Sequence, residues 1–297
     1  MSSHLTRGVA RNEHVRVFAC DTTELVDVAR EKHNLYPCAS AALGRTMSVG
    51  CIMGSMLKTD KEKLTIQING GGPMGTVMVD AYANGNVRGF VADPEVHFTY
   101  NDTGKLAVGY AMGREGTLKV IKDMGMGKET WTGTVELQTG EIGDDFAYYF
   151  TVSEQTPSAV SVGVLVDTDN HVLSSGGLII QMMPESTEED IVYVEEKLKD
   201  LKPISTLIHE GMTPIQIVES IFEDYHELET RELRFECNCS RERCLFVLNT
   251  LDPEEIRQMM EEDHGCNMHC EFCNSDYHFS EEELRVIYDT KLAKSGA

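Results

Sequence analysis

The chain has one tryptophan, aromatic residues make up only 7% of it, and just 8 prolines are spread over its 297 residues. Positive charge is also scarce, with 26 Lys and Arg against 49 Asp and Glu and a formal charge of -23. A surface that acidic repels phosphate backbones and anionic lipid, so it argues against nucleic-acid and membrane binding and would attract a basic partner. No uninterrupted apolar run reaches the roughly 20 residues of a membrane helix. The opening MSSHLTRGVARNEHVRV has Arg and His scattered through it and no apolar signal core. No Walker-type loop is present, which leaves an ATP-driven cycle unsupported. The expectation is a soluble cytoplasmic protein that contacts neither membrane nor nucleic acid.

The length is roughly twice the commonest domain size, so one large unit and one small one are expected. Charge divides unevenly along it. Residues 1–180 hold 15 basic against 21 acidic residues, whereas residues 181–297 hold 11 against 28.

In the first part, HVRVFACDTT alternates as a half-buried strand, and TTELVDVAREKHNL takes up helical spacing with Asp21 or Thr22 as cap. SAALGRTMSVGCIMGSMLK reads as a helix buried all round, and Cys20, Cys38 and Cys51 as small core residues. From residue 63 the period becomes two: KLTIQING, TVMVDAY, NVRGFV, TLKVIKDMG and TGTVELQTG are short runs between Gly, Asn and Asp turns, as in an antiparallel meander. A helix ending near Ser153 and a hairpin turning at Asp169-Asn170 complete an α+β domain over residues 1–183.

After Pro184 comes a helical linker, residues 184–230. Its first helix is expected to start at Ser186 or Thr187, with Glu189 in a capping box, and Thr213-Pro214 opens a later helix. Leu207, Ile208, Ile215, Ile217, Val218, Ile221 and Phe222 need a surface to cover. The last unit, residues 231–297, combines a strand-like RELRFEC, a helix from Asp252 with Gly265 as its stop, and a helix capped by Ser280 and Glu283. It has few large apolar side chains and needs a staple.

The staple is written in cysteine. Six of the nine cysteines fall after residue 236, and Cys237-x-Cys239 followed by Cys270-x-x-Cys273 offers four thiolates in two chelating pairs, a set suited to tetrahedral Zn²⁺. These pairs give the shortest chelate loops. Cys244, Cys266 and His264, His269 and His278 lie close by as weaker candidates. Four thiolates on one Zn²⁺ leave a net charge of -2, a target for oxidants, and a sulfenic acid formed on one sulfur can be captured by its neighbour. Spacing alone leaves a redox switch and a plain structural staple equally open.

Two other motifs carry less. Gly70-x-Gly72-x-x-Gly75 has the dinucleotide pattern, but a strand follows it where a helix is needed, so it reads as a turn. Ser153, Glu154 and Gln155 have no histidine near them in sequence and read as a helix end with structural hydrogen bonds, and HELET lacks the second histidine of a zinc protease.

Over essentially its full length the chain resembles the heat shock protein 33 family, on HLTRG, VRVFACDTTELV, NGGGPMG, YYFTVSEQTPSAV, SSGGLIIQMMP and above all ECNCSRERC with HCEFCN. The resemblance implies an ATP-independent, redox-regulated holdase of the bacterial cytosol, with no enzymatic activity. One zinc per reduced chain would be held by Cys237, Cys239, Cys270 and Cys273. On oxidation Cys237 would pair with Cys239 and Cys270 with Cys273, zinc would leave, the linker would unfold, and unfolding client proteins would be bound, usually by a dimer. Cys244 and Cys266 have no assigned part in that scheme. A zinc-stapled enzyme or adaptor and a nucleic-acid-binding zinc ribbon are the competing classes.

Overall fold

The computed structural model describes residues 2–102, 104–125 and 130–295. The chain divides into two compact units, Met1–Glu236 and Cys237–Ala297. Among the described residues no helix is long and apolar enough to cross a membrane.

The larger unit runs β1 (His4–Ala10), β2 (Val15–Asp21), α1 (Thr23–His33), α2 (Pro37–Ser55), β3 (Lys63–Gly71), β4 (Val77–Tyr82), β5 (Asn86–Val91), α3 (Val108–Met112), β6 (Gly113–Asp123), β7 (Thr130–Glu136), α4 (Ile142–Val152), β8 (Ser158–Val166) and β9 (Val172–Met182). Then come α5 (Glu188–Lys199), α6 (Ile204–His209), α7 (Pro214–Ile221), β10 (His226–Glu232) and β11 (Arg234–Phe235). Two sheets result. One has the order β10-β1-β2-β9-β8 and is antiparallel throughout; the other, β11-β5-β4-β3-β6-β7, is antiparallel except at the short β11–β5 pair.

Helix α2 is the centre of this unit. Every residue of it but Pro37 and Arg45 is buried, and it packs on β4 and β5 of one sheet and on β8 and β9 of the other. Its Ala, Gly and Ser residues permit that close approach. The buried hydroxyls of Thr46 and Ser48 are satisfied by donating to the carbonyls of Ala42 and Gly44 one turn back. Cys20, Cys38 and Cys51 are all buried in the same cluster.

Both faces of the five-stranded sheet are apolar, which follows from the two-residue period of its central strands. On β2, Phe18 and Cys20 face the α2 side, while Val15, Val17 and Ala19 face the other; on β9, Ile179 faces α2, and Leu178 and Ile180 face away. That second face is covered by the helical segment. Val194, Ile204, Leu207, Ile208, Ile217, Val218, Ile221 and Phe222 are buried on it, and Ile215 is half-buried. Gly176 permits the fit, because a Cβ there would collide with Ile208 Cδ1.

Polar contacts hold the same helices. The Ser174 hydroxyl donates to the Ser205 carbonyl at 2.8 Å, and the Tyr193 hydroxyl to the Ile221 carbonyl at 2.9 Å. Helix α5 is capped by Thr187 with Asp190, not Glu189, in the capping box, since the reciprocal partner stands three residues after the cap actually used. Asp190 is buried and also accepts from Arg11 Nε at 3.0 Å and lies 2.9 Å from His14 Nδ1, so the β1–β2 turn grips the start of the helix. The backbone N–H of Thr187 first, then His14, Thr187 Oγ1 and Arg11, hold the Asp190 carboxyl well below the usual carboxylate range.

The expected strand around RELRFEC is two strands, β10 and β11, interrupted at Leu233. β10 begins earlier, within HELET, and is an edge strand on β1. Gly70 and Gly71 end β3, and residues 72–76 turn into β4. A side chain on Gly70 or Gly72 would strike the backbone of residues 111–113, so these glycines admit a neighbouring chain, and the amides of Gly72 and Met74 bond to Met112 and Ala111 carbonyls. Glu154 accepts both Lys122 Nζ (2.8 and 3.0 Å) and the Tyr149 hydroxyl (2.8 Å), a structural cluster at the end of α4.

The smaller unit contains α8 (Arg241–Leu248), α9 (Pro253–Glu261), β12 (Gly265–Cys270), β13 (Ser275–Ser280) and α10 (Glu281–Ser295). Asp252 caps α9, and Ser280 and Glu283 bond reciprocally at the start of α10. Gly265 does not stop α9. The helix ends at Glu261, His264 takes the left-handed conformation with φ 52°, and Gly265 opens the β12–β13 hairpin. The core is small: Leu248, Ile256, Met260, Phe279, Leu284 and Ile287.

Candidate metal centre

The first arm of the site has no regular structure of its own. Ser240 caps α8 by accepting the Arg243 N–H, and the Arg243 guanidinium donates to the Asn238 carbonyl at 3.0 Å, folding the C-x-C stretch against the first turn of the helix. The second arm is a knuckle at the tip of the β12–β13 hairpin. The N–H groups of Cys273 and Asn274 both donate to the Cys270 carbonyl, at 3.2 and 2.8 Å, and Asn274 supplies the left-handed turn with φ 55°.

These two arms bring Cys237, Cys239, Cys270 and Cys273 together with their sulfurs all within 4.8 Å of one another. Cys237 and Cys270 sulfurs are 3.7 Å apart, and those of Cys239 and Cys273 3.0 Å. A tetrahedron with metal–sulfur distances of about 2.3 Å has edges of about 3.8 Å, so the four atoms are gathered at the scale a single metal ion needs. Cys273 is buried and the other three are half-buried, so the group is largely closed to solvent.

The electrostatics ask for a cation. Burial, with help from the neighbouring Cys273 and Cys237, pushes the Cys270 thiol up to about 12, against the backbone N–H groups of Phe272 and Cys273, which favour its thiolate. Crowded sulfurs cannot all ionise by themselves, whereas a bound divalent ion reverses that balance. The residues therefore form a four-cysteine group positioned to bind a metal ion.

Two further groups touch the site. The Tyr277 hydroxyl donates to Cys239 Sγ at 3.1 Å, and the Ser275 hydroxyl lies 3.3 Å from Cys273 Sγ. Neither is legible in the sequence, since only the hairpin's alternation turns them inward. Cys244 and Cys266 stand outside the four-sulfur group, as do the histidines. His269 faces Asp276 at 2.8 Å, His278 faces Asn267 at 2.8 Å, and His264 is exposed beside Glu281.

A family model described as Hsp33 protein matches residues 3–280. The chain is similar to the 33 kDa chaperonin of Bacillus subtilis (strain 168), 47% identical over 287 residues, 96% of this chain and 98% of that protein. It is also similar to that of Geobacillus sp. (strain WCH70), 45% identical over 297 residues, 99% of this chain and 100% of the other. The crystal structure of the 33 kDa chaperonin (heat shock protein 33 homolog) from Thermotoga maritima superposes with a TM-score of 0.90 at 35% identity, covering 99% of this chain and 100% of that one.

Proposed function

Since the chain belongs to the Hsp33 family, we propose that it is a redox-regulated, ATP-independent holdase whose four cysteines sense oxidants and whose linker helices cover the surface it uses. In this reading residues 1–183 are the chaperone core, 184–230 the releasable linker and 231–297 the sensor. Zn²⁺ is the metal, because four thiolates in a closed tetrahedral set are characteristic of structural zinc sites. Bound, it would supply the folding free energy that the six buried side chains of the small unit lack.

The chain's own residues set the sequence of events. Cys237 and Cys239 sit one residue apart and Cys270 and Cys273 two apart, so each sulfur oxidised to a sulfenic acid has its capturing thiol on the same arm. Two local disulfides then form, and the bond between the arms is lost. Loss of that link unfolds the sensor and lets α5–α7 leave the sheet. Val15, Val17, Ala19, Leu178 and Ile180 become available to the apolar segments of unfolding clients. The working form is a cytoplasmic homodimer on activation, with no nucleic acid or membrane among its partners and no enzymatic turnover.

The observation that carries this reading is the pairing of a four-cysteine group with an apolar sheet face covered by short helices. The test measures zinc release and suppression of a thermally unfolding client's aggregation, with and without peroxide at raised temperature. Suppression is expected only after zinc has left. Equal suppression by the reduced, zinc-loaded protein, or none after zinc loss, overturns it.

A further inference from the structure

Two cysteines of the small unit are not used by the four-sulfur group, Cys244 and Cys266. Both are half-buried, and both pack against the apolar cluster that includes Leu248 and Phe279. Cys244 lies one helical turn before Leu248, the buried residue of α8, and therefore on the inner face of that helix. Cys266 shares its less exposed face of β12 with Met268 and Cys270 and stands opposite Phe279 across the hairpin. A helix and a strand from different parts of the unit thus each turn one thiol toward the same few side chains. Burial is the chief cause raising both thiols; Cys266 then senses Asp263 and Cys244, and Cys244 senses Cys239.

We propose that Cys244 and Cys266 are a third redox pair, which closes to a disulfide under peroxide and ties α8 to β12. The Cys244 sulfur, raised by burial and by Cys239 with Arg241 and Arg243 opposing them, attacks one peroxide oxygen as its thiolate. The O–O bond breaks, and a sulfenic acid and one water are formed. The Cys266 sulfur then attacks the Cys244 sulfur, the S–O bond breaks, and the hydroxyl leaves as a second water with the thiol proton. Two thiols lose two electrons in all, and one peroxide becomes two waters.

This bond differs in kind from the two proposed at the metal centre. Disulfides within Cys237–Cys239 and Cys270–Cys273 each stay on one arm, whereas Cys244–Cys266 joins the segment after the first arm to the strand leading into the second. It would keep the two arms together once they no longer share a metal, leaving the oxidised unit tethered and able to regain its fold on reduction. The inference rests on the proposed function only for the presence of an oxidant.

The experiment treats the full-length, zinc-loaded protein with hydrogen peroxide at raised temperature, blocks remaining thiols with iodoacetamide, and maps unreduced peptides by mass spectrometry. A peptide joining Cys244 to Cys266 is expected, together with loss of all six thiols beyond residue 236. In Cys266→Ser and Cys266→Ala no disulfide includes Cys244, whose sulfenic acid is instead trapped by dimedone, zinc content before oxidation is unchanged, and the oxidised small unit is cleaved by trypsin several-fold faster. The inference fails if Cys244 and Cys266 are both alkylated while the two motif disulfides have formed, or if either is joined to a motif cysteine. A Cys244–Cys266 link without motif disulfides would uphold it and sink the redox-switch reading instead.

Discussion

The sheet face beneath α5–α7 and the interior of the small unit keep apolar surface from water by opposite means. Beneath the helices, eight buried side chains of the covering segment meet an equally apolar strand surface, and charged contacts such as Arg11–Asp190 fix the edge. In the small unit the apolar cluster has six buried side chains among the described residues, and the two arms that carry the cysteines meet through four sulfurs and the Arg241 side chain, which donates to the His278 carbonyl. The first surface is stable in proportion to what it buries. The second depends on a ligand set, which a chemical event can remove in one step. On the proposed function, sensitivity to oxidants lies in the second region and the client-binding surface in the first.

The widest separation of the two regions comes from metal removal. Structural zinc sites contribute about 10–16 kcal/mol in small peptides, far more than so small a core supplies. Chelation of the reduced protein should therefore abolish amide protection in α9 and α10 while leaving β3, β4 and β6 protected. Undiminished protection in α9 after the metal is stripped would show that the small core suffices. The reverse perturbation is Phe222→Ala, which removes a fully buried ring from the helix–sheet interface. It should cost about 3–5 kcal/mol, raise hydrogen exchange across residues 204–222, and leave zinc content intact. A variant whose exchange rises only in the small unit would break the comparison.

Much of this was legible beforehand, for reasons visible in particular residues. β3 alternates strictly between apolar and polar residues, and α2 is made almost wholly of apolar and small residues with Arg45 its one charge, so period and composition agree with the fold. The four cysteines were legible because chelation imposes short spacings. β10 was not, because HELETRE is an exposed edge strand of mostly charged residues with no apolar face to betray it, and only its register with β1 makes it a strand. Helix α8 was hidden for a related reason. Phe246 and Val247 point into solvent, so its apolar residues do not fall on one stripe. Tyr277 and Ser275 came to the metal centre only through hairpin register.

A smaller perturbation addresses the edge of the covered face. Asp190→Asn removes the charge that Arg11 and His14 share and weakens hydrogen bonds to a charged group, worth about 1.5–3 kcal/mol. Exchange should rise first in α5 and less in α7. Because the folded carboxyl is held below its ordinary value, its contribution is complete above the unfolded value of about 3.9 and is lost only as pH falls further. The difference between Asp190→Asn and the unaltered chain should thus be constant from neutral pH down to about pH 4, and narrow below it. A difference that vanished between pH 7 and 5 would assign the latch to another group.

The finest test lies at the metal centre itself. The Tyr277 hydroxyl donates to Cys239, and in doing so it would disperse charge from a sulfur that shares a bound ion with three others. Tyr277→Phe keeps the ring and removes that donor alone. Groups that support metal ligands in this way are worth about 10–100-fold in affinity; for a single hydroxyl on one of four sulfurs the lower end, about tenfold, is expected. Competition with a chromogenic chelator measures it. The same change leaves Cys239 more electron-rich, so zinc release by peroxide should quicken while client suppression after release stays the same. If affinity fell and release did not quicken, the hydroxyl would be acting on the fold of the hairpin and not on the sulfur.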